Sequence, residues 1–153
     1  MTHVDWPELQ RVATHEVGHQ VVAQALGCRS IAVHVGLRAG RVDIHDPPAD
    51  PVARAAIGLA GAAAELILAN PAADPADLVR LAASADERFS APDRALCDGV
   101  VIDVALAAHV LDILRRHWGA VRAEARAATL RAVEEAHRPA PAARRPGVVY
   151  LGD

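Results

Sequence analysis

The sequence predicts a mainly helical domain with one small β-ribbon. Three observations point there. Apolar residues recur at helical spacing through most of the 153 positions. Helix-start signals recur as well, at Asp5-Trp6-Pro7-Glu8, Asp50-Pro51, Asp74-Pro75 and Ser90-Ala91-Pro92-Asp93. Only the stretch from Ser30 to His45 alternates with the period of two that strands require. Hydrophobic residues make up 52% of the chain and the net charge is −3, so the sequence can collapse around a real core.

The first helix is expected from about residue 6 to 26. Asp5 caps it, Pro7 suits its first turn, and Leu9, Val12, Glu16, His19, Val22 and Leu26 follow its period. Gly27 is a suitable residue for its end. Ser30–Leu37 and Arg41–His45 then read as two strands joined at Arg38-Ala39-Gly40. A two-stranded ribbon is marginal alone, so it must lean on the helices. The second helix starts at Pro51 and runs to about Leu68. It is apolar nearly all round, which marks it as the central buried helix, and Gly58, Ala60, Gly61, Ala62, Ala63 and Ala64 let neighbours approach closely. A short helix follows from Pro75 to about Ala83. Ser90 opens a helical stretch to about Trp118, with Gly99 as a point of breakage, and a last amphipathic helix covers Ala120 to His137. Residues 1–137 thus form one domain. An extended tail is expected over 138–153, with Val148–Leu151 able to add a short strand.

Composition narrows the function. A net negative chain lacks the basic surface that nucleic-acid binding needs, so no nucleic-acid partner is expected. Two cysteines, Cys28 and Cys97, are too few for a disulfide framework and read as buried thiols. No signal-peptide pattern is visible from Met1 to Trp6. The most apolar stretch, Ala55–Ala69, is interrupted by Glu65 and falls short of the roughly 18–20 apolar residues that span a bilayer. The expectation is a cytoplasmic protein with no membrane partner.

Against 35 alanines, 16 arginines and 3% aromatics, eight histidines stand out. Two of them form His15-Glu16-Val17-Gly18-His19, an H-E-x-x-H motif in the first helix. Residues i and i+4 differ by about 40° around a helix and about 6 Å along it, so two imidazoles so placed can reach one metal ion. Glu16 sits at the flank of that face, where it can take a proton from water without binding the metal. A catalytic zinc site needs a third protein ligand. No further histidine follows at the spacing of the extended motif, and the candidates downstream are Glu65, Asp77, Asp93, His109 and His117. Glu65 is the lone charge in an apolar helix, where an unpaired carboxylate is costly. It is expected to accept a hydrogen bond from a ligand histidine. His34, His45 and Tyr150 read as surface or core residues, and His109 as a core or groove histidine. His117 lies at a helix end, where positive charge is favourable.

Ala13-Thr14-His15-Glu16-Val17-Gly18-His19-Gln20-Val21-Val22-Ala23 resembles the zinc helix of the FtsH-type metallopeptidases. Ala60-Gly61-Ala62-Ala63-Ala64-Glu65-Leu66 is similar to that family's small-residue helix. The likeness covers roughly residues 8–120. It implies a helical zincin-like domain, bound Zn2+, peptidase activity and an aspartate as third ligand. That aspartate stands at the first helix start past the small-residue helix, which matches Asp77 in Pro75-Ala76-Asp77-Leu78. Asp93 is the alternative, one helix later. The family's Arg is replaced by Ala62, and its doubled Glu by Glu65-Leu66. Its ATPase module and membrane anchor are missing from these residues, which points to ATP-independent action on peptides or flexible segments.

The expected function is therefore a zinc endopeptidase with Glu16 as general base. A peptide or protein substrate would lie along the ribbon edge near Ile31–Leu37. A zinc-binding regulatory or partner-binding module without catalysis stays open. So does a regulator-cleaving peptidase of the ImmA/IrrE kind.

Overall fold

A computed structural model describes residues 3–138. The tail expected beyond that point, with its strand at Val148–Leu151, lies outside the described residues. The fold is mainly α, with six helices and one two-stranded ribbon among the described residues.

Helix α1 spans Trp6–Ala25, and the Asp5 carboxylate accepts a hydrogen bond from the Glu8 backbone at 3.2 Å. Gly27, at φ +93°, turns the chain out of the helix, where a side chain would be strained. Strands β1 (Ile31–Val35) and β2 (Gly40–Ile44) pair antiparallel, with Ile31 opposite Ile44 and Val35 opposite Gly40. The connection is residues 36–39, closed by the Gly36 N–H donating to the Ala39 carbonyl at 2.8 Å. Helix α2 spans Pro51–Ala69, with the Asp50 carboxylate accepting from the Val52 and Ala53 backbones.

Every residue of α2 from Ala55 to Glu65 is buried, so this is the central helix. It is 19 residues long with mean hydropathy 1.7, which by length and composition is enough to cross a membrane. The stretch Ala55–Ala69 alone falls short of that length, and the first turn from Pro51 makes up the difference. About 67% of that window is buried within the fold. The helix is surrounded by protein: α1, α3, α4 and α5 all pack on it.

Small residues set how close those helices come. A Cβ on Gly18 of α1 would lie 2.7 Å from both the Ala60 carbonyl oxygen and the Ala64 Cβ of α2. The backbones of α1 and α2 therefore touch at the level of the histidine motif. Gly58 does the same on another face of α2. A Cβ there would lie 2.6 Å from the Asp93 carbonyl oxygen and 2.9 Å from the Leu96 Cβ. Bare backbone at position 58 is what lets α4 (Ala91–Leu96) lie against the central helix.

Helix α3 spans Pro75–Ala83. The stretch from Ser90 to Trp118 is two helices, α4 and α5 (Val104–Arg116). Gly99 at φ +73° breaks it, as its position predicts, and Asp103 recaps the chain by accepting from the Leu106 N–H at 2.8 Å. Helix α6 spans Trp118–His137 and begins two residues earlier than predicted, with no side-chain cap. Cys28 and Cys97 are buried free thiols, and burial pushes the Cys97 thiol up to about 11. His109 faces solvent, which corrects its reading as a core or groove residue.

Candidate metal centre

His15 and His19 stand one turn apart on α1 with their Nε2 atoms 3.1 Å from each other. The carboxylate of Asp93 closes the group. Its Oδ1 lies 3.1 Å from His19 Nε2 and its Oδ2 3.4 Å from His15 Nε2. Two imidazoles and a carboxylate form a donor set that suits zinc. The spacing suits it too. Ligand atoms about 2.0–2.1 Å from a tetrahedral zinc lie roughly 3.3 Å from one another.

The backs of both rings are held. His19 Nδ1 donates to the Ile57 carbonyl at 2.7 Å, and His15 Nδ1 lies 2.7 Å from Glu65 Oε1. These contacts fix each ring with Nε2 turned to the centre, which is the arrangement a metal ligand requires. Gly61 of α2 lies directly beneath. A Cβ there would run into the imidazoles of both His15 and His19.

Electrostatics bind the group together. Burial works against charge on Asp93, yet hydrogen bonds from His15 and His19 hold its carboxyl well below the usual range. Burial likewise opposes charge on His15, but its bonds to Asp93 and Glu65 raise it to about 9. A divalent cation placed between these groups could balance the Asp93 carboxylate. Glu16 stays outside the trio. It is 8% exposed, and burial raises its carboxyl pKa, partly offset by the two histidines.

A cleft of about 150 Å³ opens over these residues, with Val42, Ile44, Ile57, Pro92 and Leu96 among its walls. Strand β2 lines it. The edge expected to take substrate, Ile31–Leu37, is not among the walls of this cleft. Gly40 brings β2 against Glu16, because a Cβ at that position would lie 2.8 Å from Glu16 Oε1.

Asp77 is elsewhere, which corrects its preference as third ligand. It accepts from the Asp74 N–H at 3.1 Å within the capping box of α3 and pairs with Arg80, with its side chain 41% exposed. Among the described residues, the group placed to hold a metal is His15, His19 and Asp93. Glu65 lies behind His15. His117 is exposed, His45 is exposed, and His34 is exposed and faces Asp43 across the ribbon at 3.3 Å. Two participants escaped sequence reasoning. Gly40 reads in the sequence only as a turn residue, and Arg11, which bonds Glu65 at 2.8 Å, belongs to no motif. Its signal was available: Arg11 stands one turn before His15, and the buried Glu65 needs a cation.

Gly61→Ala tests the cradle. The added methyl must displace one or both imidazoles, and overpacking of this kind costs about 1–3 kcal/mol. Zinc affinity in a chelator competition is expected to fall roughly ten- to hundredfold. Gly119→Ala, with nothing within 4 Å of its Cβ, is the matched control and should leave affinity unchanged. No family model matches the chain, and no curated protein matches it.

Proposed function

We propose that the protein is a zinc-dependent peptidase that hydrolyses peptides or flexible protein segments. One observation carries this reading. Two i,i+4 imidazoles and a buried carboxylate converge on one point, while Glu16 lies beside that point without joining them. When bound, zinc would supply Lewis acidity, activating water and polarising the substrate carbonyl.

The chain's own residues do the rest. His15, His19 and Asp93 would hold the ion. Glu16 accepts the proton of the attacking water and passes it to the leaving amine. Its burial suits that role, because a carboxylate with a raised pKa is a better base near neutrality.

The substrate would add as a strand to the free edge of β2. The Gly36–Ala39 and His45–Ser30 backbone bonds fix the pairing phase of the ribbon. In that phase Ala39, Arg41, Asp43 and His45 bond towards β1, and Gly40, Val42 and Ile44 present their N–H and C=O groups outward. Those three residues also line the cleft. An extended peptide could pair with them and bring a carbonyl to the centre.

The test is hydrolysis of a fluorogenic peptide library by the full chain. Activity is expected to disappear after dialysis against a chelator and to return with one equivalent of zinc per chain. A protein that binds one zinc and cleaves nothing overturns the peptidase reading and leaves a non-catalytic zinc module.

A further inference from the structure

Glu65 is a carboxylate in the C-terminal half of the most apolar helix, and its side chain is 3% exposed. Both of its oxygens are engaged. Oε1 meets His15 Nδ1 at 2.7 Å, and Oε2 accepts from Arg11 Nη1 at 2.8 Å. The same guanidinium grips Glu8 with its other nitrogens, Nε at 2.8 Å and Nη2 at 2.6 Å. Glu8, Arg11 and His15 lie along one stripe of α1 at spacings of three and four, so they share a face. Glu65 reaches that stripe from α2. The other cation near Glu65, Arg88, is committed to Asp86 at 2.6 Å.

We propose that Arg11 is a positioning residue for the candidate metal centre. Acting through Glu65, it locks the His15 imidazole with Nε2 turned towards His19 and Asp93. The inference rests on the zinc reading above. Arg11 touches neither the metal position nor the cleft's reacting atoms. Its role is to hold one carboxylate oxygen so that the other keeps a single direction. A planar fork of N–H donors can bind two carboxylates in fixed geometry, which a lysine cannot do. Without Arg11, Glu65 Oε2 has no donor in a buried position, and the carboxylate is free to turn away from His15. The cation on Glu65 comes from α1, the same helix that carries His15 and His19.

A double-mutant cycle on the 153-residue chain tests this, read as zinc affinity in competition with a chromophoric chelator. Partners of ligand histidines typically contribute 10–100-fold to metal affinity. Arg11→Met, which keeps the apolar stem, is expected to weaken zinc roughly tenfold, and Glu65→Gln by 10–100-fold. In the Glu65→Gln background, Arg11→Met should cost nothing further, because its effect runs through Glu65. Circular dichroism of the chelated variants checks that each is folded. Arg11→Lys, which keeps one donor, should fall between wild type and Arg11→Met, and it replaces Arg11→Met in the cycle if that variant does not fold. Unchanged affinity in Arg11→Met, or the same loss with and without Glu65, overturns the role of Arg11 and leaves the zinc site standing. A wild type that binds no zinc overturns the site and this inference with it.

Discussion

On the proposed zinc reading, Asp93→Ala is expected to abolish metal binding at the candidate centre. Four-ligand zinc sites in small domains bind with roughly 10–16 kcal/mol, so one protein ligand contributes about 3–4 kcal/mol. Its loss should weaken zinc on the order of 10²–10³-fold. The remaining imidazoles would also lose the carboxylate that draws them together, since Asp93 is within 3.1 Å of His19 and 3.4 Å of His15. Asp77→Ala is the contrast. Its carboxylate serves the cap of α3 and an exposed ion pair, so the variant should lose about 0.5–2 kcal/mol of stability and no zinc. Metal content by mass spectrometry and chelator competition separate the two. Equal zinc binding by Asp93→Ala and wild type would rule out Asp93 as a ligand.

Those two aspartates show where sequence reasoning stops. Each is the third residue of a helix that has a capping box and a proline in its first turn, Asp74-Pro75-Ala76-Asp77 and Ser90-Ala91-Pro92-Asp93. Locally they are equivalent. What separates them is the seat of α4 on bare backbone at Gly58, a contact between residues 35 positions apart. No period or cap encodes such a contact. Features that depend on neighbours in sequence were legible: the starts at Asp5, Asp50, Asp74 and Ser90, the exit at Gly27, the break at Gly99, and the pairing of His15 with His19. The cleft-lining strand was not. β1 and β2 alternate alike, and only the approach of Gly40 to Glu16 distinguishes them. The α2 helix lies between these cases. Its run of small residues predicted close packing, but the sequence did not say that Gly61 would lie under both imidazoles while Gly58 received α4.

Glu16→Gln is expected to separate binding from chemistry. The amide keeps the size of the carboxylate, so the contact with Gly40 and the packing of β2 should persist. The histidine bonds to Ile57 and Glu65 do not involve position 16, and neither does the Asp93 bridge. One zinc per chain should therefore remain. Hydrolysis should not, because an amide cannot accept the proton of the attacking water or return it to the leaving amine. Positioned general bases contribute typically 10²–10⁴-fold, and a loss of that size is expected in kcat with KM little changed. Glu16→Asp refines the point. It keeps the basic group but withdraws it by one methylene, so partial activity is expected from a group that works by reach. Single-turnover hydrolysis with metal content measured on the same samples decides the matter. If Glu16→Gln retains both zinc and wild-type turnover, the proton passes through another group. If it loses zinc, Glu16 belongs among the ligands rather than beside them.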